Sequence, residues 1–144
     1  MKDNDLSDNI VEAGCLSEKE LYALYKYCTL CVATTIVEGP GMPQQVLEPL
    51  KIGDIPVIAS KSWGIKESLE SVGLSMETAD LNWVNLDDDK GLANKIENIL
   101  SNPEPHIEKQ KHIIEAYTKR TWADVAHEYM DVFEKVIGKG KDNA

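Results

Sequence analysis

Apolar residues are distributed along this chain in two ways, as short continuous runs and as longer stretches in which they recur every three or four positions. Continuous runs are typical of buried strands, and the wider spacing is typical of amphipathic helices. The three clearest runs are NIVEAG (residues 9–14), TLCVATTIV (29–37) and IPVIAS (55–60). Because helical stretches separate these runs, the pattern predicts a parallel α/β sheet of Rossmann-like type with flanking helices.

The helical stretches carry start and stop signals. In SEKELYALYKYC (17–28), Ser17 and Glu20 form a capping box, which predicts a helix start at this point. Further helices are predicted in segments 64–73, 90–102, 106–120 and 121–140. Gly138 is the expected end of the last one. Its apolar positions form a stripe that is predicted to pack against the core, and they are Trp122, Val125, Ala126, Tyr129 and Phe133.

Length and charge narrow the class of protein. A chain of 144 residues is expected to bury one core, so we predict one domain over residues 9–137, between polar tails at 1–8 and 138–144. Asp and Glu number 25 against 15 Lys and Arg, which gives a formal net charge of -10. A surface of this sign repels phosphate backbones and anionic lipid, so nucleic acid is not an expected partner.

Cysteine spacing and hydropathy bear on metal chemistry and location. The spacing of Cys28 and Cys31 fits half of a zinc knuckle, but a second pair is lacking, so no metal site is predicted. Together with Cys15, they are expected to be buried thiols in a reducing compartment. No apolar run approaches the ~20 residues of a membrane span, and the polar N-terminus does not resemble a signal peptide. We therefore expect a cytoplasmic location and no transmembrane segment.

The stretch VEGPGMPQQVLEP (37–49) continues directly from the second apolar run and is the candidate site. Ligands of parallel α/β sheets bind at the carboxyl ends of the strands, where helix N-termini favour negative charge. Gly39 and Gly41 would allow the backbone to approach an anion closely. From the pattern alone, a tight turn that uses these glycines only for its geometry is an equally good interpretation.

Several motifs follow one another in a definite order: Gly14, KELYALYKYC (19–28), TTIVEGPGMP (34–43), Glu48, GDIPVIAS (53–60), WGIKES (63–68) and TWADVAHEYMDVF (121–133). In this order they resemble the C-terminal, donor-binding domain of GT-B glycosyltransferases, specifically glycosyltransferase family 4. The resemblance covers residues 9–136, nearly the whole chain, and the combination is more specific than any single motif.

The resemblance implies roles for particular residues. Glu38 is similar to the first glutamate of the family's pair, which contacts hydroxyls of the donor sugar, and it is the candidate catalytic residue. Glu48 is similar to the second glutamate, which holds the ribose hydroxyls of the nucleotide, and Leu16 matches a position that flanks the nucleobase. Three further positions would present backbone N–H groups to the sugar and diphosphate, namely Gly39, Gly41 and Met42.

The chain departs from the family pattern within this stretch. Nine residues separate Glu38 from Glu48, two more than is usual in the family. On a helix, that shift rotates Glu48 by about half a turn. Pro40 removes one backbone donor from the loop. Pro49 fits best in a first helical turn, so the helix is expected to begin near Glu48.

The resemblance also defines what this sequence lacks, namely two earlier strands, an Arg/Lys pair for the diphosphate and the N-terminal acceptor domain. It implies the donor-binding half of a retaining glycosyltransferase, which moves a hexosyl group from a nucleoside diphosphate sugar to an acceptor in polysaccharide or glycoconjugate synthesis. No metal or other cofactor is expected, and a missing N-terminal domain or partner chain is required, so these residues alone are expected to be inactive. The alternative is a non-catalytic interaction module derived from the same fold; a flavodoxin-type binder is disfavoured because the acidic pocket at its first strand is lacking.

Overall fold

The computed structural model describes residues 7–35 and 41–141 and has an α/β fold in which most residues are helical. A short 3₁₀ turn, Ser7–Asn9, precedes the regular elements. In chain order these are α1 (Glu18–Tyr27), β1 (Cys31–Ala33), α2 (Gln44–Ile52), β2 (Val57–Ala59), α3 (Trp63–Ser71), α4 (Asp89–Ser101), α5 (Glu104–Lys119) and α6 (Trp122–Lys141). Ser17 caps α1 through the predicted capping box with Glu20.

The centre of the fold is a small parallel sheet. Strands β1 and β2 pair in parallel, with Val32 opposite Ile58. On the other side of β2, the segment around Val84 continues the sheet through a parallel bridge to Ser60 and a hydrogen bond of 3.1 Å from the Val84 N–H to the Ala59 carbonyl. The predicted α/β class with a parallel sheet and flanking helices is confirmed.

Two predicted strands differ from the structure. Residues 10–13 of NIVEAG form no strand, and Val11 is 89% exposed. In the described part of the run TLCVATTIV, residues 29–35, the strand is Cys31–Ala33, and Val32 is 40% exposed, whereas a buried strand is covered on both faces. A strand needs a neighbour that satisfies its backbone groups. Within the described residues β1 has such a neighbour on one side only, so its apolar run stays short and half-covered.

Helices cover the two faces of β2. Val57 and Ala59 point to one face, where the core is formed with residues of α2, α3 and α5, and Ile58 points to the other, where it meets Ile99 of α4. All three strand residues are fully buried. Three helices supply large apolar residues to the main core cluster, namely Val46 and Leu50 of α2, Ile65 and Leu69 of α3 and Ile113 of α5. The burial of β2 is therefore supplied by helices on both faces of the sheet.

Side chains replace a neighbouring strand along the first part of β2. The buried Gln110 side chain of α5 accepts a hydrogen bond from the Val57 N–H at 3.0 Å through Oε1 and donates to the Val57 carbonyl at 2.8 Å through Nε2. Asn82 Nδ2 donates to the same carbonyl at 2.9 Å. The Asn82 Oδ1 in turn lies 2.7 Å from His106 Nδ1. These contacts satisfy the buried N–H and carbonyl groups of Val57, which would destabilise the fold if they had no hydrogen-bond partner.

Helix α6 differs from its prediction in the packing of its apolar stripe and in the residue at which it ends. Its apolar stripe exists, but Tyr129 and Phe133 are 62% and 53% exposed and Trp122 is 87% exposed, so the stripe does not pack against the core. Gly138 does not end the helix, which continues to Lys141. A helical glycine costs about 1 kcal/mol relative to alanine, which is too little to stop a helix whose neighbours favour it.

Replacing Gln110 by alanine is expected to lower the free energy of unfolding by about 2–3 kcal/mol, because the Val57 N–H then loses its partner in a buried position. Urea unfolding followed by circular dichroism measures this change. Gln44→Ala is the matched control, since Gln44 is an exposed residue of α2 and its loss should change stability by less than about 0.5 kcal/mol. Equal stabilities of the two variants would contradict the importance of the Gln110 contacts.

Candidate functional site

The carboxyl ends of the two strands are held together by one serine. Ser60 follows β2, and its Oγ donates to the Thr35 carbonyl at 2.6 Å and accepts a hydrogen bond from the Thr35 N–H at 2.9 Å. This fixes the backbone at the point where the candidate stretch begins. Glu38 and Gly39, the first two residues of the predicted site, lie outside the described residues, so their roles stay predictions.

Residues 41–43, which precede α2, are held by their backbone conformation and by contacts with the core and with the start of α2. Gly41 has φ of 107°, a left-handed conformation that strongly favours glycine. Met42 is half-buried and packs against the main core cluster, so its side chain faces inward. Pro43 is buried, and its carbonyl accepts from the Val46 and Leu47 N–H groups at the start of α2.

The start of α2 corrects the prediction made from Pro49. The helix begins at Gln44, not near Glu48, and Glu48 is its fifth residue. Pro49 therefore lies inside the helix, where it cannot donate to the carbonyl of Gln45. The Cys31 Sγ of β1 donates to that carbonyl at 3.5 Å. A tertiary contact thus compensates for the proline, and no local pattern predicts it because Cys31 is distant along the chain.

Glu48 lies in the contact between α1 and α2. Its side chain is half-buried, and α1 packs directly on α2. Burial raises the pKa of the Tyr25 phenol of α1 to about 12, and the nearby negative charge of Glu48 adds to this increase. The Glu48 carboxylate therefore belongs to the side of α2 that faces α1. Leu16, which is half-buried, comes just before the cap of α1.

The structure thus places four of the six predicted residues. Gly41, Met42 and Glu48 follow the carboxyl end of β1 within one loop and the first half of one helix. Leu16 precedes the helix that packs on α2. Backbone donors at the loop, a carboxylate on α2 and an apolar side chain before α1 are groups that suit phosphate, hydroxyl and base recognition, respectively.

Two cavities near this region involve residues that sequence reasoning missed. One of about 530 Å³ lies at the carboxyl ends of β2 and the Val84 segment, between Ser60, Lys61 and residues 84–88. Another of about 470 Å³ opens beside Gly41, and Glu67, Tyr117 and Arg120 line it. The Tyr117 and Ser68 hydroxyls are hydrogen-bonded there. Glu67 belongs to the WGIKES motif, whereas no sequence signal pointed to Tyr117 or Arg120.

The lysines nearest the strand ends are exposed, as expected for surface residues. A hydrogen bond with Ser75 is the main cause of the lowered pKa of the Glu77 carboxyl group, and the nearby charges of Lys61 and Lys66 lower it further. Lys66 also pairs with Glu70 at 3.8 Å. In the described residues, no group of three or more His, Cys, Asp or Glu side chains is arranged to hold a metal ion.

The three cysteines are all free but differ in environment. Cys15 is exposed, contrary to the prediction of a buried thiol, because it lies before the cap of α1 and outside the core. Burial raises the pKa of the Cys28 thiol and raises that of Cys31 to about 11. The protonated state of Cys31 fits its role as a donor to the Gln45 carbonyl.

We expect iodoacetamide at pH 8 to alkylate Cys15 readily and Cys31 at least about 100-fold more slowly, because a thiol with a pKa of about 11 is only about 0.1% thiolate at that pH. Mass spectrometry of peptides from a time course gives the three rates, and the same reaction in denaturant serves as the control. Equal rates at Cys15 and Cys31 in the folded protein would contradict the contact between β1 and α2.

Comparison with known proteins identifies the domain. The family described as "Glycosyl transferases group 1" matches residues 1–120. No curated protein and no solved structure shows a significant match to the chain. Among the helices of the described segments, none combines the length and apolar character needed to cross a bilayer. The matched region contains both strands, α2 and the loop before it, and covers well over half of the sequence. The chain therefore belongs to the group 1 glycosyltransferase family and has the Rossmann-like α/β architecture of a glycosyltransferase domain.

Proposed function

We propose that this chain is the donor-binding half of a retaining, GT-B glycosyltransferase of family 4, which transfers a hexosyl group from a nucleoside diphosphate sugar to an acceptor in polysaccharide or glycoconjugate synthesis. The observation that carries the proposal is the position of Glu48. It stands half-buried on the helix that follows the carboxyl end of a parallel strand, in a family that transfers glycosyl groups. Parallel α/β sheets bind their ligands at this edge.

In the proposed complex, Glu48 accepts hydrogen bonds from two vicinal hydroxyls of the nucleotide ribose. A carboxylate can accept both at once, and bonds to an ionised acceptor are among the stronger ones. Gly41 and Met42 offer backbone N–H groups to the sugar and diphosphate, and Leu16 contacts the base. Because Met42 is anchored in the core, its backbone is held in place without a ligand.

Transfer itself is assigned to Glu38 and to electrostatic stabilisation of the departing diphosphate. The acceptor and the remaining charged groups come from an N-terminal domain or partner chain. The open side of β1 supports this requirement, because within the described residues only β2 pairs with it and Val32 remains exposed. Tyr22 and Tyr27 of α1 are exposed as well.

Titration with UDP, GDP and their hexose conjugates, followed by calorimetry, tests the donor site. One nucleotide is expected to bind saturably, and Glu48→Ala should weaken its binding by about 10–100-fold, because one charge-assisted contact contributes about 1.5–3 kcal/mol. Glu70→Ala is the control, since Glu70 is an exposed residue of α3 and should leave the affinity unchanged. The folding of each variant is checked by circular dichroism.

The outcomes separate the two candidate functions. Binding that is lost only in Glu48→Ala supports a donor site, and the preferred nucleotide identifies the base. If neither the folded chain nor a longer protein that includes the acceptor domain binds any nucleotide, the donor site is refuted. The non-catalytic interaction module is then the better account of this domain.

A further inference from the structure

Helix α1 contains one buried residue, and it lies against the helix that carries Glu48. That residue is Tyr25, which is 8% exposed. Tyr25 belongs to neither of the two apolar core clusters, whereas α1 packs directly on α2. Its ring is therefore enclosed in the contact between the two helices and not in the core of the domain.

The Tyr25 phenol is hydrogen-bonded to the Glu48 carboxylate across this contact. The phenol is the donor, because an ionised carboxylate can only accept. Burial is the main reason that the pKa of Tyr25 is raised to about 12, and the negative charge of Glu48 and this hydrogen bond contribute to the increase. The phenol therefore keeps its proton at physiological pH and can donate to Glu48 throughout that range.

The turn of α2 that carries Glu48 lacks one hydrogen bond of its own. Pro49 follows Glu48 directly and has no N–H to offer to the helix. The Cys31 thiol donates to the freed carbonyl of Gln45 at 3.5 Å instead. This contact supports the backbone, but a glutamate side chain keeps several rotatable bonds, and ordering them when a ligand binds lowers the affinity. A contact to the carboxylate itself removes this freedom, and Tyr25 supplies one.

We propose that Tyr25 is a positioning residue of the donor site, which holds the Glu48 carboxylate in the orientation that accepts both ribose hydroxyls of a nucleotide. This role rests on the donor-binding function proposed above, because it acts only through Glu48. A carboxylate has about four lone-pair positions for hydrogen bonds, so one bond from the phenol leaves enough for two hydroxyls. A side chain that is already ordered by its neighbours binds its ligand more tightly and more selectively than a mobile one.

A role in packing alone has different requirements. Contact between α1 and α2 needs the aromatic ring of Tyr25, whereas positioning of the carboxylate also needs the hydroxyl. Tyr25→Phe removes the hydroxyl and keeps the ring, so this variant separates the two roles. Tyr27→Phe is the matched control, because Tyr27 belongs to the same helix and is 83% exposed.

Calorimetric titrations of the full chain with UDP and GDP, and with their 2′-deoxy forms, measure the effect on binding. Tyr25→Phe is expected to weaken binding of the preferred ribonucleotide about tenfold, which is the usual effect of losing one hydrogen bond to a charged group. The preference for the ribonucleotide over its 2′-deoxy form should fall as well, since the carboxylate is no longer held toward both hydroxyls. Tyr27→Phe should change neither quantity, and circular dichroism checks the folding of each variant.

A double-mutant cycle shows whether Tyr25 acts through Glu48. In a chain that already carries Glu48→Ala, Tyr25→Phe should weaken binding by less than about twofold, because the group that the phenol orients is absent. A loss of the same size with and without Glu48→Ala would mean that Tyr25 acts by packing or touches the nucleotide itself, and it would overturn the proposal. Unchanged affinity in Tyr25→Phe would overturn it too.

A measurement without ligand separates this role from the donor-binding function. In protein with carbon-13 at the tyrosine ring carbon that bears the hydroxyl, Glu48→Ala should shift the NMR signal of Tyr25 and leave that of Tyr27 in place. If the Tyr25 signal does not move, the contact is absent and the proposal is wrong, even where nucleotide binds. If the signal moves but neither the chain nor the longer protein with its acceptor domain binds a nucleotide, the donor-binding function is refuted, and the positioning role with it.

Discussion

The backbone of Val57 is the constraint on which this fold depends. Its N–H and C=O point away from β1 toward an edge where no strand of the described residues lies opposite, and Val57 is fully buried. The side chains of Gln110 and Asn82 meet them instead, at 2.8–3.0 Å. Because an unsatisfied buried amide is costly, this contact fixes α5 against the sheet and allows a strand of three residues to act as the centre of a domain.

The geometry of the candidate site depends on the same small sheet of β1 and β2. The end of β2 is linked to the end of β1 by Ser60, and β1 holds α2 through the Cys31 thiol. Helix α2 then carries Glu48 into its contact with α1. Each step is a contact between residues far apart in sequence. The position of the carboxylate therefore depends on the packing of the small sheet and not on the loop alone.

Sequence signals were reliable where the interaction that they predict joins residues close together along the chain. The capping box at Ser17 formed as predicted, because its two partners are three residues apart. The two predictions discussed next were wrong because they depended on which other segment of the chain packs against a strand or a helix. NIVEAG was read as a strand, but an apolar run forms a strand only beside another, and residues 10–13 have none within the described part of the chain. The stripe of α6 was read as core, although periodicity reveals an apolar face without revealing what covers it.

By itself, the sequence determined the α/β class, the alternation of most helices with the two strands, the family and the residue types offered at the site, because patterning, caps and motifs are properties of neighbouring residues. The tertiary structure decided where α2 begins, that the Cys31 thiol donates to the Gln45 carbonyl in place of Pro49, that Gln110 completes the sheet and that the face of α6 stays open. These outcomes depend on whether a buried polar group or an apolar face finds a partner distant along the chain. That balance of desolvation against hydrogen bonding and packing is set only when the chain is folded.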